Sequence, residues 1–166
     1  YHSNVKNIMY KKGEYKMRSL SITDYQLIEN IASIHEYYLE KSGLNYHATT
    51  LSIALRQEMI ERRLKMNQDI IYVIESKHDF REPSAFIWGH FETSTKVVTI
   101  EMLYTHPHCR NSGIATNLKL ALERWAIEKD AHSIESTVDA NNEQMIHINR
   151  EQGYDITHVK MRKDLK

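Results

Sequence analysis

The sequence predicts a single α/β domain in which a mixed, mostly antiparallel β-sheet is flanked by helices. Short runs rich in β-branched residues alternate with longer segments whose apolar residues recur at helical spacing. Only 5 glycines and 2 prolines interrupt the chain, so its turns are few and well marked. A length of 166 residues with 41% hydrophobic and 27% charged side chains suits one domain with its own core.

The predicted element order is β-α-α-β-β-β-α-β-α-β, carried by residues 17–166. Residues 1–16 are polar and basic, show no sustained period, and are expected to form a weakly ordered lead-in. A strand at residues 17–22 precedes the Thr23-Asp24 pair, whose short oxygen side chains are typical of a helix N-cap. The helix that follows should end near Gly43, and a second helix should run from Thr50 to about Lys65.

The middle of the chain predicts three consecutive strands, at residues 70–76, 84–92 and 96–105. The first is rich in β-branched residues, and a short polar turn joins the last two as a hairpin. An amphipathic helix begins after Gly113, and a strand follows at 133–138. Strand, helix and strand in that order imply a parallel βαβ unit. A short helix at 142–151 and a last strand at 155–164 complete the order.

Composition excludes several classes of protein. Lys and Arg number 22 and Asp and Glu number 22, and this balance argues against a nucleic-acid partner. No apolar run approaches the roughly 18 residues of a membrane span, so no membrane partner is expected. The lone Cys109 excludes an internal disulfide and favours the cytoplasm.

The loop from His106 to Gly113 is the most informative stretch, because an apolar strand enters it and a long helix leaves it. Such a helix start offers unpaired backbone N–H groups to a phosphate, Gly113 permits close approach, and Arg110 can complement the anion. Neither common phosphate-loop glycine pattern is present. An ordinary strand-to-helix turn therefore remains an alternative on these residues alone.

Two runs of the chain resemble the markers of the GNAT N-acetyltransferases. The run from Leu103 to Ala115 resembles that family's acetyl-CoA loop, [RQ]-x-x-G-x-[GA], and Asn142 precedes Gly153-Tyr154 by the eleven residues of its second marker. The resemblance implies that acetyl-CoA is a cosubstrate and that Asn142 contacts its pantetheine arm. It also implies that Leu103, Tyr104 and Thr105 pair with that arm, and that Arg110, Asn111, Ser112, Gly113, Ile114 and Ala115 hold the pyrophosphate.

The reaction implied by the resemblance is transfer of an acetyl group to a primary amine of a small molecule or peptide. Glu101, four residues before Thr105, is the expected base, and an exposed strand glutamate without a catalytic role is the alternative. The family's usual acid is a tyrosine seven residues after the marker asparagine, where this chain has Asn149. Asn149 can donate a hydrogen bond or contact the cofactor but cannot supply a proton, so Tyr154 or Tyr104 could substitute.

Several other interpretations stay open. The missing tyrosine favours a non-catalytic acyl-CoA-binding or sensing module, and a longer acyl group is a further alternative. No metal is expected, because His106, His108 and Cys109 are too tightly spaced for a zinc site. Cys109 as a nucleophile lacks an oxyanion-hole motif. Monomer and homodimer are both open.

The resemblance also implies that the acceptor site lies between the first two helices. His35 and Tyr38 fit the core-facing stripe of the first helix, and Glu36 is expected to face water there. Alternatively, the acceptor site would use Glu36, Tyr37, Tyr46 and His47.

Overall fold

A computed structural model describes residues 8–9, 15–42, 45–76, 79, 81–163 and 165. The chain forms two compact units, residues 1–136 and 137–166. The predicted helix end at Gly43 and most of the predicted lead-in lie outside the described residues. Of the lead-in, Ile8–Met9 pairs with Lys16 and Met17 as a short antiparallel strand.

The first unit contains a six-stranded sheet whose strands lie side by side in chain order. Its strands are β1 (Ile8–Met9), β2 (Lys16–Ser19), β3 (Asp69–Glu75), β4 (Pro83–Glu92), β5 (Val97–Thr105) and β6 (Ser133–Ser136). Its helices are α1 (Tyr25–Lys41), α2 (Thr50–Lys65) and α3 (Ile114–Glu128). All neighbouring strands are antiparallel except β5 and β6, which are parallel and joined through α3. The predicted mixed, mostly antiparallel sheet is therefore confirmed.

The sheet carries a separate hydrophobic cluster on each face. Alternation along β4 sends Ala85 and Ile87 to one cluster and Phe86 and Trp88 to the other. The first cluster, here the α3 face, includes Leu118, Leu122 and Trp125 of that helix. The second, here the α1/α2 face, includes Leu27, Ile28, Ile31 and Ile60. Each face is thus closed by different helices.

A β-bulge interrupts the pairing of β4 with β5. Trp88 pairs with Met102 and Gly89 with Ile100, which leaves Glu101 as the extra residue on β5. Gly89 also lies so close to α3 that a Cβ there would stand 2.4 Å from Cδ1 of Leu122. Gly89 therefore marks both a bulge and a close approach between β4 and α3. The bulge changes which face the following residues of β5 occupy.

The second unit contains one helix, α4 (Glu143–Glu151). Asn142 caps it, since its side-chain oxygen accepts a hydrogen bond from the Met145 amide at 3.1 Å. The predicted last strand is wrong, because residues 155–163 adopt no strand conformation. A strand requires a ladder of backbone hydrogen bonds as well as apolar residues, and the spacing of Ile156, Val159 and Met161 does not keep them on one face. All three side chains are exposed.

None of the helices in the described part of the chain combines the length and apolarity that a membrane crossing requires.

Candidate active site

The second half of β5 has one edge without a strand partner. β6 pairs with Val97 to Ile100 only, and in the described residues no strand continues beside Leu103, Tyr104 and Thr105 on that edge. On the opposite edge β4 pairs with these three residues. An extended ligand could therefore add to β5 in the manner of a further strand.

The loop between β5 and α3 is held to its surroundings by hydrogen bonds. The His106 amide donates to the Ser84 carbonyl at 2.8 Å and so extends the β4–β5 ladder. A 3₁₀ turn at Pro107–Cys109 follows, and Oγ of Ser112 donates to the Cys109 carbonyl at 2.5 Å. Nε of Arg110 lies 3.4 Å from the Thr105 carbonyl. The loop is thereby held against the end of β5.

The start of α3 has the geometry of an anion site. Asn111 and Gly113 both have left-handed backbone conformations, with φ of 58° and 77°, and Gly113 is the N-cap. No side chain caps this end, so the amides of Ile114 and Ala115, which have no acceptor within the helix, point out of it. A Cβ at Gly113 would meet nothing within 4 Å. Open space, helix polarity and unpaired donors together fit a phosphate group.

Glu101 lies in the bulge and turns toward α2. Its Oε1 accepts a hydrogen bond from Nη1 of Arg63 at 3.1 Å, and its side chain is 24% exposed. Within the described part of the chain, no hydrogen bond or ion pair involves Oε2. One carboxylate oxygen is therefore held while the other remains available to accept a proton.

Behind Glu101, a buried polar cluster is centred on Asp69. Nε1 of Trp88 donates to Oδ2 of Asp69 at 2.6 Å, and Nδ1 of His90 lies 2.5 Å from Oδ1. Nη1 of Arg63 lies 3.9 Å from Oδ2. Burial raises the pKa of Asp69, and the hydrogen bonds from His90 and Trp88 offset only part of that effect. The cluster connects the start of β3 to Glu101 through one guanidinium.

A second buried cluster joins α1 to α2. Glu36 is buried, which overturns the expectation that it faces water, and it accepts hydrogen bonds from Tyr46 and from Nε of Arg56, the latter at 2.7 Å. Burial acts to raise the pKa of Glu36, but these hydrogen bonds outweigh it and lower that pKa. His35 is buried as expected, and burial lowers its pKa. The rings of His35 and Trp88 pack edge to face, with their centroids 5.4 Å apart.

The remaining acceptor-site candidates differ in exposure. Tyr38 is exposed, so its assignment to the core is wrong. It lies seven residues after the buried Ile31, on the same stripe of α1, but in the last turn of the helix, beyond Glu36, where the buried residues of α1 end. Tyr37 and His47 are also exposed, and Nδ1 of His47 lies 3.2 Å from Oε1 of Glu40.

The sequence-predicted residues divide between the two units. Leu103 to Thr105, Glu101 and the loop from Arg110 to Ala115 lie together at the end of β5 and the start of α3. Asn142 and Asn149 lie in the second unit, where Asn142 caps α4 and Asn149 is buried. Tyr104 stacks on Phe86 with ring centroids 5.4 Å apart, and burial raises the pKa of its hydroxyl.

The loop histidines form a pair without a third metal-ligating side chain. The rings of His106 and His108 stack with centroids 5.0 Å apart. Across the described ranges, no group of three or more His, Cys, Asp or Glu side chains is arranged to hold a metal ion.

Sequence reasoning missed Arg63, Asp69, Trp88 and His90 as parts of the site. Asp69 begins a strand and Arg63 lies near the end of a helix, and both positions commonly carry charged residues facing water. One signal was available. Asp69 and His90 are polar, yet they stand at positions that strand alternation assigns to the same face as buried residues of β3 and β4. Their cross-strand pairing makes them neighbours only once the register is known.

Comparison with known proteins identifies the family. The sequence profile described as the acetyltransferase (GNAT) family matches residues 29–154. A structure from Staphylococcus aureus subsp. aureus, assigned to the GNAT acetyltransferases, is 46% identical, with a TM-score of 0.68, and the match covers 73% of this chain and 98% of that one. No curated protein matches the chain.

More distant structures share the fold. A predicted acetyltransferase from Clostridium acetobutylicum with acetyl-CoA is 19% identical, with a TM-score of 0.69 and coverage of 92% of this chain and 97% of that one. AAC(6′)-Iy in complex with the bisubstrate analogue CoA-S-monomethyl-acetylneamine is 16% identical, with a TM-score of 0.64 and coverage of 93% and 99%. The chain belongs to the GNAT family of acetyltransferases.

Proposed function

We propose that the protein transfers an acetyl group from acetyl-CoA to a primary amine of a small molecule or peptide. The observation that carries the proposal is the junction of β5 and α3, where an unpaired strand edge leads through one short loop to an uncapped helix start. Acetyl-CoA has the matching parts in the same order, namely an amide-containing arm and a pyrophosphate. The two fold relatives solved with acetyl-CoA or a CoA analogue support this choice of cosubstrate.

In this proposal the loop and the strand edge bind the cosubstrate. The amides of Ile114 and Ala115, with those of residues 110–113, hold the pyrophosphate against the positive end of α3. Leu103, Tyr104 and Thr105 hydrogen-bond the pantetheine arm, and Asn142 keeps its side-chain NH₂ for the same arm because its oxygen caps α4. The thioester supplies an activated acetyl group.

Glu101 acts as the base in this proposal, directly or through a water molecule. The acceptor amine loses its proton toward Oε2 of Glu101, and its nitrogen forms a bond to the acyl carbon as the carbon–sulfur bond breaks. The sulfur leaves with the electron pair of that bond and takes up a proton from water or from the hydroxyl of Tyr104, and Glu101 returns its proton to the solvent. Asn149 contributes a hydrogen bond to the cosubstrate, and the protonated hydroxyl of Tyr104 is the alternative donor.

The experiment is a screen of primary amines with acetyl-CoA, in which CoA release is followed with a thiol reagent and the acetylated product is identified by mass spectrometry. Tertiary amines of similar size and charge are the matched control, because they cannot form a stable amide. The proposal predicts CoA release with at least one primary amine and with none of the tertiary ones. Release that is independent of any amine would contradict it.

The second candidate function is acyl-CoA binding without transfer, favoured by Asn149 at the position of the family's usual acid. It predicts binding of acetyl-CoA with no product from any amine. A longer acyl group would be revealed by faster turnover with propionyl-CoA or butyryl-CoA than with acetyl-CoA.

A cytoplasmic location belongs to the proposal that the protein is an acetyltransferase.

A further inference from the structure

Arg63 lies between two carboxylates that belong to different strands. Its Nη1 donates to Oε1 of Glu101 at 3.1 Å and lies 3.9 Å from Oδ2 of Asp69. The side chain of Asp69 is completely buried, whereas those of Arg63 and Glu101 are 27% and 24% exposed. The guanidinium therefore has one fixed neighbour in the protein interior and one at the edge of the candidate site.

Asp69 cannot move to follow the arginine. Its two oxygens are engaged by Nε1 of Trp88 at 2.6 Å and by Nδ1 of His90 at 2.5 Å, and both of these residues belong to β4. Trp88 is fully buried and pairs with Met102, the residue after Glu101. Asp69 is consequently a rigid anchor, built on the strand next to the bulge.

Glu101 has no comparable support of its own. It is the extra residue of the bulge, so it has no cross-strand partner on β4 to restrict its side chain. A glutamate has several rotatable bonds, and holding a catalytic group in one productive geometry contributes substantially to rate. In the described part of the chain, Arg63 is the single side chain hydrogen-bonded to this carboxylate.

We infer that Arg63 is a positioning residue: anchored by Asp69, its guanidinium holds Oε1 of Glu101 and thereby directs Oε2 toward the acceptor amine. The inference rests on the proposed function, since it assigns a role in the same reaction. Among the described residues, Arg63 of α2 contacts this carboxylate, Asp69 of β3 lies on the other side of the guanidinium, and His35 of α1 interacts with Glu101 electrostatically. Of these, Arg63 makes the direct contact.

A purely structural ion pair is the competing explanation. Partly exposed ion pairs contribute little to stability, so loss of this one should leave the protein folded. The two explanations then differ in kinetics, because a positioning residue alters kcat through Glu101 and a structural pair does not.

The test is a double-mutant cycle with R63A, E101Q and the R63A/E101Q double variant, measured with acetyl-CoA and the best amine of the screen. R62A is the matched control, because Arg62 is the exposed neighbour on the same helix. We expect R63A to lower kcat about tenfold or more with little change in the KM for acetyl-CoA. In the E101Q background the same substitution should have almost no further effect, because its action requires Glu101.

Two rescue measurements guard against a misfolded variant. R63K should recover part of the lost kcat, since lysine supplies a donor without the planar fork of arginine. Millimolar guanidinium chloride should partly restore R63A, whereas the same concentration of sodium chloride should not. R62A should match the wild type in every measurement.

Equal losses from R63A in the wild-type and E101Q backgrounds would overturn the inference, as would an R63A variant with unchanged kcat. An increase confined to the KM for the amine would also overturn it and would make Arg63 an acceptor-binding residue. In each of these cases a wild-type protein that acetylates amines leaves the proposed function standing. A wild-type protein that acetylates no amine would overturn both.

Discussion

The two faces of the sheet differ in what they bury. The α3 face joins the hydrophobic side chains of β3, β4 and β5 to those of α3, and its cluster consists of apolar residues, although the charged Lys119 of α3 is also buried. The α1/α2 face also has an apolar cluster, but beside it lie the buried polar residues His35, Glu36 and Asp69. Burial of polar groups is costly unless they are paired, so their concentration on one face indicates a task other than packing.

The difference suggests a division of labour. The α3 face fixes the helix whose first turn forms the anion site, and it needs only tight packing to do so. The α1/α2 face carries Glu101, which the bulge turns toward Arg63 instead of toward α3. We therefore expect substitutions on the α3 face to change stability and those around Glu101 to change chemistry.

The largest effect is expected at Glu101. E101Q keeps the size of the side chain but removes its basicity, so kcat for amine acetylation should fall about a hundredfold or more, the usual contribution of a general base. The KM for acetyl-CoA should be nearly unchanged. E92Q, at an exposed glutamate at the end of β4, is the control. Full activity of E101Q at all pH values tested would remove Glu101 from the chemistry.

The next effect is expected at Gly113, whose substitution should abolish most acetyl-CoA binding. G113D places bulk and negative charge in the open space before α3, and we expect the affinity measured by calorimetry to fall more than about tenfold. G153D is a matched control, because Gly153 has nearly the same backbone, with φ of 82°, and equally open surroundings. Equal losses in both variants would assign the effect to backbone strain.

A smaller effect, on stability alone, is expected at Gly89. G89A would place a methyl group against Leu122 in the packed α3 face, and we expect a loss of about 1 to 2 kcal/mol in the free energy of unfolding by urea. L122A should relieve the clash, so the double variant should lose less than the two single variants together. A G89A protein that is as stable as the wild type would show that this face tolerates repacking.

The smallest effect is expected at Lys119, an almost fully buried lysine of α3. Burial lowers the pKa of Lys119 to about 8, against 10.5 in the unfolded chain. Between these two pH values the unfolded state binds more protons than the folded state, so the stability of the fold rises with pH in that range. At pH 7 the folded protein buries a charged lysine, which costs free energy. K119M removes this cost and should stabilise the protein by about 1 kcal/mol at pH 7. Its advantage should shrink by pH 10. K65M, which removes an exposed lysine of α2, is the substitution control.

Periodicity and two motifs were sufficient to predict most of the fold and the position of the loop. The helix from Thr50 to Lys65 and the parallel connection through α3 follow from local patterns, so they could be predicted. The last strand could not be judged in this way, because strand formation depends on pairing elsewhere in the chain. Residues 155–163 have strand-like composition and still form no strand.

The cluster around Glu101 was hidden for a related reason. Along β5, alternation predicts that every second side chain lies on the same face of the sheet. The bulge reverses this alternation after Ile100. The partners Arg63 and Asp69 are 38 and 32 positions away in sequence, and only the sheet register and the docking of α2 bring them together. Long-range geometry of this kind leaves no local signal.

The most direct test of the account is an NMR titration of the ¹⁵N-labelled protein with acetyl-CoA, with acetate as the control. We expect saturable changes that are largest for the amides of residues 103–105 and 110–115, small changes across the interior of the α3 face, and none with acetate. Binding that leaves the amides of Gly113, Ile114 and Ala115 unchanged would contradict it, because the pyrophosphate site would then lie elsewhere.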